Sequence, residues 1–326
     1  MHRSALVTGA TGFVGLNLVP RLLQEGWDVT ALHRAMSDLT LLRRFAPRLA
    51  VGELTDRASI EAALPGGTDT VFHVAGNTNM WHKRNALQTR DNVEGTRNVV
   101  DACIATGVRR LVVTSSISAY GSVSGAVTEE TPSLAATSTV NYQKTKWEAQ
   151  EIARAAIARG LEVVILQPGA IIGPYDLGTW SRMFLMVRDG KLRGVPPGSR
   201  TFAHVRSVVD AHIAAADGGR SGDHYILGGE NARLLDFVQH IARLLGKPVP
   251  VRESPAFVVK GVAMVGELVS RFTGREPMIT REMTDGLGVS ITATAEKAQR
   301  ELGFRVVPLA DMVKDCFDWM VAEGRI

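Results

Sequence analysis

An α/β fold organised on a doubly wound parallel sheet, with a smaller and mainly helical part beside it, is predicted by three observations. Short apolar runs of strand length alternate with amphipathic helical stretches through the first half of the chain. The first of these runs opens into a glycine turn, Thr8-Gly9-Ala10-Thr11-Gly12-Phe13-Val14-Gly15. After Pro168 the alternation stops, and Gly, Pro and irregular stretches run to Ser199.

Taken in order, Ala5-Leu6-Val7 forms the first strand, and Leu16, Val19, Leu22 and Leu23 then fall on one helical face. Between them Gly9 permits a tight turn, Gly12 lets the backbone approach a ligand, and Gly15 allows close helix packing. This strand-to-helix context suits a dinucleotide pyrophosphate at a helix N-terminus, as in a Rossmann unit. The second strand, Val29–Leu32, ends in His33-Arg34, with Ser37 three residues on. An NAD-preferring chain carries an acid near that point to hold the ribose 2′-hydroxyl. Cations and a hydroxyl suit a 2′-phosphate, so NADP(H) is expected, with NAD the alternative. Strands follow at Val71–Val74, Leu111–Val113 and Val163–Leu166, with helices over Asn92–Ala105 and Lys144–Ala158. A helical pattern returns at Ser207–Ala216, Tyr225–Leu227 forms a further strand, and the tail from Leu234 is mostly helical. The expected division is a nucleotide-binding unit of residues 1–168 with about 203–224, and a substrate-binding unit of about 169–202 with 225–326.

Tyr142 and Lys146 lie one helical turn apart on one face. A phenol is a weak acid near neutrality, and a nearby ammonium favours its ionised form. Ser116 follows an apolar strand, at the end that faces the ligand crevice of a parallel sheet. Its hydroxyl can hold a carbonyl oxygen beside the tyrosine. Each residue alone is ordinary. The three in this order, behind the glycine turn, predict a catalytic Ser116, Tyr142 and Lys146.

The 326 residues are 45% hydrophobic and 21% charged, with a net charge of +4, as in an ordinary soluble enzyme. The cations are scattered, which argues against a nucleic-acid partner. No stretch reaches membrane-spanning length and no membrane partner is expected. The chain opens directly into its first strand, without a leader pattern, and its two cysteines, Cys103 and Cys316, fit a reduced cytoplasm. The eight histidines show no metal-ligand spacing, so no metal is expected. His73 reads as structural, and His204 with His212 as polar residues flanking a helix.

Over nearly its whole length the chain resembles an extended short-chain dehydrogenase/reductase of the NAD-dependent epimerase/dehydratase type. The resemblance rests on Thr8–Gly15, Gly52-Glu53-Leu54-Thr55-Asp56, His73-Val74-Ala75-Gly76, Asn92-Val93-Glu94-Gly95-Thr96, Ser116, Tyr142, Lys146, Pro168-Gly169 and Gly173-Pro174. Within that family it is similar to the bacterial branch related to dihydroflavonol 4-reductases. The resemblance implies that Thr11, Gly12, Phe13 and Val14 border the cofactor and that Glu53 and Leu54 lie near the adenine. It also implies that Val74, Ala75 and Gly76 pass beneath the cofactor, and that Asn92, Pro168, Gly169 and Ile171 lie towards the nicotinamide half. Four positions depart from the pattern: Glu53 where an Asp is usual, Gln167 where an Arg is common, and Arg206-Ser207 where two acids are common.

Substrate contacts are expected from Asn77, Thr78 and Trp81 in the loop after the fourth strand, from Ser118, and from Tyr175. Trp180, Met183, Phe184 and Met186 form either a roof over the cleft or a small core. Residues Phe257–Phe272 keep helical spacing and read as a buried wall or lid rather than a membrane anchor, because Lys260, Glu267 and Arg271 interrupt them. The expected activity is NADPH-dependent reduction of a carbonyl on a hydrophobic or aromatic small molecule. A nucleotide-sugar epimerase is the alternative, its pyrophosphate met by Arg182, Arg188, Lys191, Arg193 and Arg200, and a non-catalytic NADP-binding protein is a third. A homodimer is expected through Val99, Val100, Ile104 and Ala105 of one helix and Ala149, Ile152, Ala153, Ala156 and Ile157 of another.

Overall fold

The computed structural model describes residues 3–178, 180–192, 194–248, 252–277, 279–284 and 290–326. Its strands are β1 (Ser4–Thr8), β2 (Asp28–His33), β3 (Arg48–Val51), β4 (Thr70–His73), β5 (Arg110–Thr114), β6 (Gly125–Val127), β7 (Glu162–Pro168), β8 (Ala170–Ile172), β9 (Ser199–His204), β10 (His224–Leu227), β11 (Glu230–Arg233) and β12 (Ile291–Ala293). Its α-helices are α1 (Phe13–Gln24), α2 (Arg57–Ala63), α3 (Asn85–Thr89), α4 (Gly95–Ala105), α5 (Asn141–Ala155), α6 (Ser181–Arg188), α7 (Val205–Gly218), α8 (Leu234–Leu244), α9 (Ala256–Thr273), α10 (Arg281–Thr284), α11 (Glu296–Leu302) and α12 (Leu309–Ala322).

Seven strands pair in the order β10-β7-β5-β4-β1-β2-β3, all parallel. The central strands are apolar because helices cover both faces: Leu6, Val7, Val71, Phe72, Leu111, Val112, Val163 and Val164 are all buried. One covering layer packs Leu16, Val19 and Leu22 of α1 against Val208 and Ala215 of α7. The other packs Ile60 of α2 with Val99 and Cys103 of α4 and Ala153 of α5. The order reverses between β1 and β4, so the ends of these two strands open a crevice at the switch point.

Several expectations are corrected by this packing. Tyr225–Leu227 belongs to β10 and pairs with β7 in the large sheet, so that sheet continues past residue 224. Val99, Val100, Ala149, Ala153 and Ala156, offered as a dimer face, are buried inside this chain's own core. Ile104, Ile152 and Ile157 stay half-buried and Ala105 is exposed, because a helix laid on a broad sheet uses a wider apolar arc than one stripe.

The remaining strands build a second sheet, β11-β9-β12-β6, with β8 paired to β9. No sequence pattern announces it, since its strands are three to six residues long. Beside it α6, α8 and α12 enclose a separate core. Phe184 is fully buried there, Trp180 meets Phe237 edge-on at 5.5 Å, and Phe237 stacks on Phe202 at 5.4 Å. Trp180, Met183 and Phe184 are therefore core residues and not a roof. The expectation of a buried wall over Phe257–Phe272 also fails. Helix α9 buries only Val259, Ala263, Glu267 and Ser270.

Candidate active site

The glycine turn has the geometry its sequence demands. Gly9 takes φ +68°, and a Cβ there would fall 2.6 Å from Ala75 Cα. Gly12 N donates to Gly9 O at 2.9 Å, and Leu16 N to Gly12 O at 2.8 Å as α1 begins. A Cβ on Gly15 would overlap Gly9 O and lie 2.6 Å from Ala10 Cα. The turn can thus bring main-chain N–H groups at the start of α1 up to a pyrophosphate, with Thr11, Phe13 and Val14 along it. Among the described residues, no side chain caps the N-terminus of α1.

At the end of β2, Ser37 N donates to Arg34 O at 2.9 Å and Arg34 N to Ser37 Oγ at 3.2 Å. Arg34 and Ser37 therefore share one tight turn beside buried His33, whose Nδ1 faces Arg34 O at 3.0 Å. The Arg34 side chain is exposed. In the next loop Glu53 N donates to Ser59 Oγ at 2.9 Å, and Asn98 Nδ2 donates to Leu54 O at 2.7 Å. The Glu53-Leu54 loop is thereby fixed against α2 and α4.

Ser116 and Tyr142 are brought together. Ser116 lies just past β5, where its Oγ accepts from Ser118 N at 3.1 Å and so caps a short 3₁₀ turn. The Tyr142 side chain lies near the Ser116 hydroxyl, which favours the ionised phenol. The neighbouring Ser115 is occupied elsewhere, donating to Gln150 Oε1 at 2.6 Å. Lys146 is buried one turn along α5, with Nζ donating to Thr114 O at 3.1 Å and packed against Gly76. Burial brings the Lys146 ammonium down to about 8. Burial also raises the Tyr142 pKa, while the Ser116 hydroxyl lowers it. Tyr142 thus sits above its ordinary value and stays protonated at neutral pH, in the form that can give up a proton.

Behind this cluster lies a polar layer only partly foreseen. His73 Nδ1 faces Thr8 Oγ1 at 2.8 Å, and its Nε2 faces Thr96 Oγ1 at 2.9 Å. Thr96 Oγ1 already donates to Asn92 O at 2.7 Å, so His73 Nε2–H donates to Thr96 and Nδ1 accepts from Thr8. Burial first, and the Lys146 charge second, bring the His73 pKa down to about 3, which keeps the ring neutral. Asn92 sits in a π-helical turn, Arg90–Glu94, a local widening often found at functional sites. Its Oδ1 accepts from Asn77 N at 2.7 Å, and its Nδ2 donates to Asn77 O at 3.0 Å and Thr145 Oγ1 at 3.1 Å. Asn92 therefore ties the loop after β4 to helix α5.

His212 corrects an expectation. It does not flank a helix but lies fully buried within α7, one turn after Val208. Its Nδ1 donates to Val208 O at 2.7 Å and its Nε2 accepts from Thr114 Oγ1 at 2.7 Å. It thus steadies the residue whose carbonyl holds Lys146. The apolar spacing of Val205, Val208 and Ala215 around it was the available signal. His204 does flank α7, its ring accepting from Arg206 N at 3.1 Å. Gln167, in place of the common Arg, joins a buried chain: Tyr120 donates to its Oε1 at 3.1 Å, and it donates to Gln150 at 2.9 Å.

The expected substrate contacts divide. Asn77 stands next to the cluster through Asn92, Ser118 is half-buried beside Ser116, and Thr78 is exposed. The Trp81 ring is buried, with the Lys83 ammonium 5.3 Å from its centroid. Tyr175, at φ +67°, packs its ring on Phe45 at 5.9 Å and Trp319 at 5.2 Å. Both aromatic rings are taken up by packing. Pro168 is buried at the end of β7, and Gly169 lies so close to Thr201 that a Cβ would fall 2.5 Å from its carbonyl oxygen. Ile171 is half-buried in β8. Of the cations set against a nucleotide sugar, Arg188 and Lys191 both bind Asp189, at 2.8 and 2.9 Å. Arg182 is exposed, Arg200 donates to Ser199 O at 2.8 Å, and Arg193 lies outside the described residues.

A parallel sheet of this order, with a glycine turn at its switch point, defines an NAD(P)-binding α/β enzyme. The chain belongs to the NAD dependent epimerase/dehydratase family, whose pattern it matches over residues 5–228, and is an enzyme of the extended short-chain dehydrogenase/reductase type. It is 31% identical to sterol demethylase protein B of Methylococcus capsulatus over 99% of this chain and 100% of that one. It is also 31% identical to a Synechocystis protein provisionally named dihydroflavonol 4-reductase, over 98% and 95% of the two chains. Among solved structures it is similar to gox2253, at TM-score 0.86 and 32% identity over the whole of both chains.

Proposed function

We propose that this enzyme reduces a ketone or aldehyde on a hydrophobic or aromatic small molecule, using NADPH. The observation that carries the reading is the placement of Ser116, just past β5, near Tyr142 of α5, with Lys146 buried one turn further along that helix. The cradle fits a dinucleotide: Gly9 and Gly15 let the turn pack closely on Ala75 and Ala10, where any Cβ would clash. No described side chain caps the opening of α1, which leaves its main-chain N–H groups for a pyrophosphate. Gly12, Val74, Ala75 and Gly76 would line it, Glu53 and Leu54 would border the adenine, and Arg34 with Ser37 would meet a 2′-phosphate. When bound, the reduced nicotinamide supplies hydride to the carbonyl carbon. Ser116 holds the carbonyl oxygen through its hydroxyl. Tyr142 delivers the proton to that oxygen. Lys146 turns from Thr114 O to the nicotinamide ribose, close to Gly76 and Asn92.

The names of two relatives, a sterol demethylase component and a dihydroflavonol 4-reductase, support an apolar ring-bearing substrate. The epimerase alternative is weakened by the engagement of Arg188 and Lys191 with Asp189. The test uses NADPH or NADH deuterated at the transferring carbon, with aromatic aldehydes, cyclic ketones and nucleotide sugars. Deuterium on the carbinol carbon of an apolar product is expected. Conversion of a nucleotide sugar to its epimer without net coenzyme use would select the alternative, and no turnover with any panel member would favour a binding protein. The proposal keeps a cytoplasmic location, and a homodimer resting on Ile104, Ile152 and Ile157, which light scattering across a dilution series measures.

A further inference from the structure

Helix α9 places its side chains by a rule opposite to that of an ordinary surface helix. Its one carboxylate, Glu267, is turned inward, where Oε1 accepts from Arg281 N at 3.0 Å and lies 3.6 Å from His82 Nδ1. Its large apolar residues are turned outward: Phe257 is 76% exposed, Val265 63% and Phe272 86%. Val258, Val262, Met264, Leu268 and Val269 are exposed with them. At 3.6 residues per turn these eight side chains span an arc of about 160°, opposite the buried stripe. Lys260 and Arg271 fall together on one edge of that arc, and Arg275 follows just beyond the helix. Among the described residues of α9, no acidic side chain is exposed.

We propose that α9 docks the enzyme on an anionic phospholipid surface, lying in the interface with its apolar arc in the acyl boundary and its cations among the phosphates. A scatter of single apolar residues on a surface needs no explanation, but a continuous apolar arc does. Charge selects the occupant. A second copy would bring the same face, with no carboxylate to meet Lys260 and Arg271, whereas a lipid surface brings phosphate to both. The helix docks and does not span, since no described helix is long and apolar enough to cross a membrane. It is also held to the body of the protein: Lys83 Nζ donates to Ser270 O at 3.2 Å, Asn79 Nδ2 to Glu276 at 3.2 Å, and Thr280 Oγ1 to Met80 O at 2.6 Å. These bonds fasten α9 and the segment after it to the Asn77–Asn85 loop that leaves the end of β4 beside Asn92, so that loop lies on the buried side of α9, away from the docking arc. The proposal does not rest on the choice of substrate.

The full chain is mixed with phosphatidylcholine vesicles, with or without phosphatidylglycerol, and binding is read by flotation. Co-flotation with the anionic vesicles is expected. Phe272→Asp with Leu268→Asp should abolish it, and Lys260→Glu with Arg271→Glu should weaken it by about tenfold, with mass and circular dichroism unchanged. As a second readout that avoids charges in the apolar arc, a polarity-sensitive fluorophore is placed at Phe272→Cys. Cys103 and Cys316 are buried, so labelling is selective. Its emission should shift to the blue with anionic vesicles, and a label at Arg34→Cys should not respond. The proposal is overturned if the wild type fails to float, or if the aspartate variant floats as well as the wild type. Equal binding to neutral vesicles overturns it too, as does a concentration-dependent dimer, lost in the aspartate variant, without vesicle binding.

Discussion

At the carboxyl ends of β1, β4 and β5 the buried side chains are polar and partnered, whereas along α9 the exposed side chains are apolar and bare. Thr8, His73, Thr96, Asn92 and Thr145 form an unbroken hydrogen-bonded layer behind Lys146. Burying that much polarity without partners would cost several kcal/mol, so the layer exists only as a whole and fixes its members in one geometry. Helix α9 carries no such constraint: among the described residues its large apolar side chains are exposed. A site for chemistry and a surface for docking thus leave opposite marks. The first tolerates almost no change, and the second tolerates much in folding while losing its partner.

The largest expected effect belongs to the first region. Gly15→Ala sets a methyl group into main-chain atoms of Gly9 and Ala10, which cannot rotate away. The cost should be about 3 kcal/mol or more, seen as a lower denaturant midpoint with coenzyme binding lost. A midpoint near wild type with coenzyme bound would mean that α1 can shift.

Acid should expose the same layer. Burial holds His73 down to about 3 and His212 down to about 4, against 6.5 for a free imidazole. The unfolded chain therefore takes up protons first, so their contribution is complete above about pH 6.5 and is lost as pH falls towards 4. Each should cost on the order of 2 kcal/mol by pH 4.5. Lys146 acts at the other end, since its ammonium is disfavoured when folded, and stability should rise between about pH 8 and 10.5. Denaturation midpoints against pH measure both limbs, and His212→Gln should flatten the acid one.

A smaller effect is expected at the rim of the cleft. Arg34→Ala removes an exposed guanidinium that only NADPH can engage through its phosphate. NADPH affinity should fall by about tenfold and NADH affinity should hardly move. Equal losses would remove the phosphate contact from Arg34. The smallest effect is reserved for α9: Val265→Lys should change folding stability by less than about 0.5 kcal/mol, as for any exposed position. A loss like that of a core valine would show the arc to be covered.

The same contrast governs how much could be read from sequence. The glycine turn, the parallel strands, Ser116 and Lys146 follow from local patterns, because each needs a residue type at a fixed spacing. Arg34 and Ser37 likewise meet in one turn. His212 was missed because its partner Thr114 lies 98 positions away, and no local rule links an α7 imidazole to a β5 hydroxyl. The packing of Trp81 and Tyr175 was not legible for a related reason: an aromatic residue near a cleft reads the same whether it faces ligand or core. Helix α9 was misread because its spacing reports which residues share a face and not whether anything covers that face.

The central claim is that Tyr142, near Ser116, gives up the proton that accompanies reduction. Tyr142→Phe keeps the ring and removes only the hydroxyl. Turnover of the best carbonyl substrate should fall by about a factor of 10² to 10⁴ while NADPH affinity changes less than about threefold. Wild-type turnover in that variant, or turnover and NADPH affinity lost together, would contradict the assignment.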